Sequence, residues 1–91
     1  MIVSYRNKRT RTFSAGERVK AFAAFERKAE LRLDQLDAAT SLLDLDLPGS
    51  RLEALKGDRK GIWSIWVNGN WRITFGFAGG DATDANLEDY H

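Results

Sequence analysis

The sequence predicts an α+β domain in which an N-terminal strand and helices pack on one face of a small antiparallel sheet. Three observations carry this. Apolar residues recur at spacings of three and four in the first half, and they alternate with polar residues in the second. A single Pro48-Gly49 pair divides the halves. Helical and strand patterns segregated in this way place the helices together against one sheet. Ninety-one residues suffice for one domain, 1–91, with a small core.

Ile2 to Tyr5 is short, β-branched and aromatic, and reads as an edge strand. From about Asn7 to Ala39 the pattern is helical: Val19, Phe22 and Ala23, then Ala29, Leu33 and Leu36, form one apolar face. Gly16 disfavours a helix interior and separates two helices there. Thr40 or Ser41 is placed to cap a short turn through Leu42, Leu43 and Leu45.

After the Pro-Gly pair, Leu52 to Lys56 reads as a strand and Gly57-Asp58 as a tight turn. Trp63, Ile65 and Val67 alternate with Ser64 and Trp66; Trp71, Ile73, Phe75 and Phe77 alternate with Arg72, Thr74 and Gly76. Asn68-Gly69 between them is a strong hairpin signal, expected as a type I′ turn with positive φ at both residues. Gly79-Gly80-Asp81 supplies a further turn, and Thr83, Ala85 and Leu87 begin a last strand.

Composition removes several function classes. With no cysteine and one histidine, His91, neither a disulfide framework nor a thiolate or histidine-rich metal site is expected, and no cofactor motif is present. No run approaches the roughly 20 apolar residues of a membrane span. The first residues lack the order of a secretory signal, so a soluble cytoplasmic protein is expected. The net charge of +1 hides segregation. Residues 1–32 hold nine Lys/Arg and three Glu, residues 33–50 hold four Asp and no base, and residues 51–77 hold five bases against two acids. Such blocks form positive patches suited to phosphate backbones, or simply solvated faces.

Chemistry concentrates on one sheet face. The large apolar residues at odd positions after Trp71 face the helices, so Arg72 lies on the other side with Thr74. Lys56 ends one strand and Asp89-Tyr90-His91 ends another, and all can converge on that face. The set suits metal-free cleavage of an RNA phosphodiester by its own 2′-OH, which needs a base, an acid and cations for the phosphoryl oxygens. His91 titrates near neutrality and fits either proton role. Glu53 or Asp89 can act as base or hold the imidazole, and Arg72 and Lys56 can bind the phosphate. Tyr90 can stack on an unpaired base or assist proton transfer. Trp66 points away from the core as a base platform or partner contact, whereas Trp63 and Trp71 read as core.

The same residues carry a resemblance. The run from Arg51-Leu52-Glu53-Ala54-Leu55-Lys56-Gly57-Asp58-Arg59-Lys60-Gly61 to Trp63-Ser64-Ile65, the segment Asn70-Trp71-Arg72-Ile73-Thr74-Phe75 and the ending Asp89-Tyr90-His91 resemble the HigB toxins of the RelE/ParE superfamily. Leu36-Asp37-Ala38-Ala39-Thr40 is similar too. The resemblance covers most of the chain and is loosest over residues 6–30. It implies a RelE-like, microbial-ribonuclease-like fold and a metal-independent ribonuclease that cuts mRNA in the ribosomal A site. It also implies a HigA-type helix-turn-helix antitoxin as partner, with operator DNA bound only through the complex. Lys56, Arg72, Asp89, Tyr90 and His91 fall on catalytic or mRNA-binding positions, and Arg59, Lys60 and Trp66 are further RNA-binding candidates. Some relatives carry histidine where this chain has Glu53, which cannot supply a cation at neutral pH. ParE-type relatives of the same fold bind DNA gyrase without a terminal Asp-Tyr-His set, and form the alternative.

Overall fold

A computed structural model describes residues 1–90; His91 lies outside the described residues. Helix α1 spans Lys8–Ser14 and α2 spans Glu26–Ala38, with a 3₁₀ segment, Lys20–Phe25, leading into α2. The four strands are β1, Glu53–Ala54; β2, Ile62–Asn68; β3, Trp71–Ala78; and β4, Asp81–Asp89. They form one antiparallel sheet in the order β1-β2-β3-β4. The expected α+β architecture is therefore present, with the helices on one sheet face.

Helix α1 begins and ends for a local reason. Asn7 caps α1 by accepting from the Thr10 amide at 2.9 Å. Gly16, at φ 96°, lies just past its end, as expected. The next stretch departs from expectation. Ala23 is exposed, and the buried pair is Phe22 and Phe25. A 3₁₀ helix has three residues per turn, so residues three apart share a face, and both rings reach Trp71. In α2 the buried face is Ala29, Leu33 and Leu36, as the periodicity requires. At the short 3₁₀ turn Leu42–Leu45, the Asp44 carboxylate accepts from the Thr40 and Ser41 amides at 3.0 and 3.2 Å. These backbone hydrogen bonds hold its carboxyl below the usual carboxylate range.

Three strand details also differ. The segment Ile2 to Tyr5 makes two isolated parallel bridges to β4, Ile2↔Ala82 and Tyr5↔Ala85, rather than a continuous strand. Asp84, at φ 51°, sits at a bulge between them and interrupts the ladder. The same bulge puts Ala82, Ala85 and Leu87 in the core, while Thr83 faces the other way. Strand β1 is two residues long instead of the expected Leu52 to Lys56, with Arg51 at φ 48° before it and the Gly57–Arg59 3₁₀ turn soon after. Finally, the β2–β3 turn carries positive φ only at Gly69. The pair of positive φ values that a type I′ turn needs occurs at Gly79 and Gly80 instead.

The core lies between helices and sheet. Phe13, Phe22, Phe25, Ala29, Leu33 and Leu36 meet Ile65, Val67, Ile73, Phe75 and Leu87, and Trp63 and Trp71 pack against them. No helix of the described residues is long and apolar enough to cross a membrane.

Candidate active site

Period two sends every second side chain of β2, β3 and β4 to the face away from the helices. That face is polar but not open. One transverse row runs Glu53, Ser64, Thr74 and Asn86, each opposite its neighbour on the next strand. Ser64, Thr74 and Asn86 in this row are buried. The adjacent row is Trp66, Arg72 and Glu88. The sheet therefore holds a layer of hydroxyl, amide and charged groups, and no buried side-chain polar atom among the described residues lacks a hydrogen-bond partner.

Arg72 stands near the middle of this layer. Its side chain is only 19% exposed. A guanidinium Nη donates to Ser64 Oγ at 3.3 Å and stands 3.9 Å from Glu53 Oε1, an ion pair loosened by the exposure of Glu53. Its Cζ lies 5.4 Å from the centre of the Tyr90 ring. Tyr90 is anchored by its amide, which donates to the Asn70 carbonyl at 2.7 Å. Beside them a groove is lined by Glu53, Ala54, Leu55, Lys56 and Tyr90. The structure thus brings together four of the sequence-derived candidates: Arg72, Glu53, Lys56 and Tyr90. An ammonium, a carboxylate and an aromatic ring along one groove, with a guanidinium against the carboxylate and the ring, can bind a phosphodiester, receive a proton and stack a base.

The other candidates sit differently. Asp89 pairs with Trp71 across β3–β4, so the register places it on the helix-bearing face rather than with Arg72; it is exposed at the end of β4. His91 lies outside the described residues. Arg59, from the β1–β2 connection, does not point to solvent. It reaches β4 and donates twice to the Glu88 carboxylate, at 2.7 and 3.1 Å. Lys60 is exposed, on a shallow apolar groove that it shares with Lys56, Ile62 and Trp63. Trp66 is half-buried: Arg51 and Lys28 lie over its ring at 4.4 and 4.9 Å, and its indole N–H donates to the Gly69 carbonyl at 2.9 Å.

Glu88 is the residue that sequence reasoning missed. Its carboxylate also accepts from Thr74 Oγ1 at 2.9 Å and from Asn86 Nδ2 at 2.7 Å. Burial pushes this carboxyl up, but the hydrogen bonds from Arg59, Thr74 and Asn86, with the Arg59 charge, outweigh that and hold it below the usual carboxylate range. A signal was available: Glu88 shares the parity of Asn86 and opposes Arg72's strand.

Among the described residues no group of three or more His, Cys, Asp or Glu is arranged to hold a metal ion. Comparison with known proteins agrees with the architecture. Over 60 residues the chain is 53% identical to the endoribonuclease HigB of Proteus vulgaris, covering 66% of this chain and 65% of that protein. Over 60 residues it is 40% identical to toxin HigB-1 of Vibrio cholerae serotype O1, covering 65% of this chain and 63% of the other. The matches thus span a little under two thirds of the length of these relatives. The family model for the RelE-like toxin HigB of type II toxin–antitoxin systems matches residues 4–91, and the chain belongs to that family.

Proposed function

We propose that this protein is the toxin of a type II toxin–antitoxin pair and acts as a metal-independent endoribonuclease on translated mRNA. The observation that carries this reading is the placement of Arg72. It is a largely buried guanidinium with a weak carboxylate partner, in contact with Glu53 and Tyr90, which line a groove together with Lys56. Guanidinium groups so held suit the bidentate binding of a phosphate whose charge grows in the transition state.

In this reading the 2′-OH of the substrate attacks the adjacent phosphorus and the P–O5′ bond breaks, leaving a 2′,3′-cyclic phosphate and a 5′-OH. The 2′ proton passes to a base and the 5′ oxygen receives one from an acid. Glu53, exposed on the groove, is positioned as base, and His91 handles the remaining proton. Arg72 and Lys56 balance the phosphoryl charge, and Tyr90 stacks on the base beside the cleaved bond. Lys60, and the Arg51–Lys28–Trp66 cluster, extend the basic surface along which RNA lies. The ribosomal A site is where mRNA is presented, the neutralising partner is a HigA-type antitoxin, and operator DNA is met only through that complex. A HigB name on a relative at 53% identity supports the ribonuclease over gyrase binding.

The test maps mRNA 5′ ends in cells after a brief pulse of the protein, beside a variant with His91 and Arg72 both changed to alanine. New 5′-OH ends inside translated codons, absent from the variant, are the expected result. Growth arrest without new ends would overturn the nuclease reading and favour gyrase as the target.

A further inference from the structure

Arg72 and Glu88 are direct partners in the β3–β4 register and leave the same face of the sheet. Opposite charges at such a cross-strand position normally attract each other. Here the Glu88 carboxylate is turned elsewhere. It takes two hydrogen bonds from Arg59, one from Thr74 Oγ1 and one from Asn86 Nδ2. Three of these four hydrogen bonds fall on Oε2 and one on Oε1, so both carboxylate oxygens are engaged by Arg59 and the group is held on the Arg59–Thr74–Asn86 side. Among the described residues Arg72 meets instead the Ser64 hydroxyl, the distant Glu53 carboxylate and the Tyr90 ring.

We propose that Arg59, Thr74 and Asn86 capture Glu88 so that it does not neutralise Arg72, and that this keeps Arg72 open to an RNA phosphate. Arg59 and Glu88 are then positioning residues that act through Arg72, not RNA ligands. The inference rests on the phosphate role of Arg72 in the preceding reading. The geometry has a clear consequence. Without Arg59, Glu88 loses its charged partner while remaining half-buried, and the cation within reach across the strands is Arg72. A carboxylate that is paired bidentately with Arg72 occupies the N–H groups that a phosphate needs.

The test uses the full chain and follows the Arg72 Nε–H resonance during titration with a short 2′-deoxy oligonucleotide, which the 2′-OH mechanism cannot cleave. Arg59→Ala is expected to shift this resonance before any ligand is added and to weaken oligonucleotide binding about tenfold or more, the order of one charge-assisted hydrogen bond. Adding Glu88→Gln to Arg59→Ala removes the competing charge and is expected to restore binding to within about threefold of the parent. Suppression of this kind separates positioning from the other roles. A direct RNA contact by Arg59 is not rescued by Glu88→Gln, and a merely structural loss leaves the Arg72 resonance of the folded variant where it is in the parent. Should Arg59→Ala fail to fold, Thr74→Val removes one donor from Glu88 at similar volume and is expected to weaken binding several-fold, with the same rescue. Unchanged binding in the folded Arg59→Ala or Thr74→Val variant, absence of rescue, or a parent Arg72 that does not respond to the oligonucleotide would each overturn the proposal. Cleavage in a translation system is measured separately. A parent that binds through Arg72 but cuts nothing sinks the nuclease reading and leaves the positioning of Arg72 standing.

Discussion

Asn7 and Asn86, 79 residues apart in sequence, are joined by a 2.6 Å hydrogen bond from Asn7 Nδ2 to Asn86 Oδ1. Each has a second task. Asn7 Oδ1 caps α1, and Asn86 Nδ2 donates to Glu88. The start of the first helix is thereby tied to the polar layer that surrounds Arg72. Asn7→Ala removes the cap and leaves the nearly buried Asn86 oxygen without that donor, so a loss of about 1–3 kcal/mol is expected in urea unfolding. A midpoint shift below the error of the measurement would mean that water replaces both contacts.

Phe22 is fully buried and packs edge-on against Phe13 and Trp71, with ring centres at 5.2 and 5.6 Å. Phe22→Ala should cost about 3–5 kcal/mol from lost transfer energy and a residual cavity. That is a large part of the total stability of a small domain. Phe22→Leu should recover more than half of it in the same thermal melt.

Removing the Arg72 guanidinium should act on chemistry far more than on folding. Arg72→Ala is expected to raise the cleavage barrier by about 2–4 kcal/mol, the order seen for a charge-stabilising donor. Single-turnover cleavage beside a melting curve separates the two effects. A rate equal to that of the parent removes Arg72 from the site.

Acid should reveal Glu88. Its folded-state carboxyl titrates below the unfolded value, so its charged form stabilises the native state at neutral pH. That contribution is complete above the unfolded value of about 4.3 and is lost as pH falls through the lower folded value. Glu88→Gln should therefore show a shallower fall in melting temperature below about pH 4.5 than the parent. Parallel pH curves for the two proteins would show that another carboxylate dominates.

Trp66 carries Arg51 and Lys28 against its ring. Trp66→Ala should lower stability by about 1–3 kcal/mol, through lost burial and two cation–π contacts. Trp66→Phe keeps the ring but loses the indole bond to Gly69, and should fall between. Chemical denaturation of the three proteins gives the order directly.

The sequence by itself determined the layer architecture, the helix face through Ala29, Leu33 and Leu36, the break at Gly16 and the separation of Arg72 from the core. These follow from periodicity and backbone freedom, which act over a few residues and can be read locally. Local reading failed where one element answers to another. Phe25 replaces Ala23 in the core because Trp71 on the sheet receives both phenylalanine rings. Thr83 leaves the face of Ala85 because Asp84 bulges against the incoming N-terminal segment, where its amide donates a hydrogen bond to Ser4 Oγ at 2.8 Å. The candidate site divides in the same way. That Arg72, Lys56, Glu53 and Tyr90 belong together was legible from strand parity and resemblance. Only the tertiary structure decided that Arg59 turns inward to Glu88, and that Asp89 falls in register with Trp71. Both depend on the alignment of strands whose partners are distant in sequence, and a shift of one residue in that alignment moves a side chain to the opposite face.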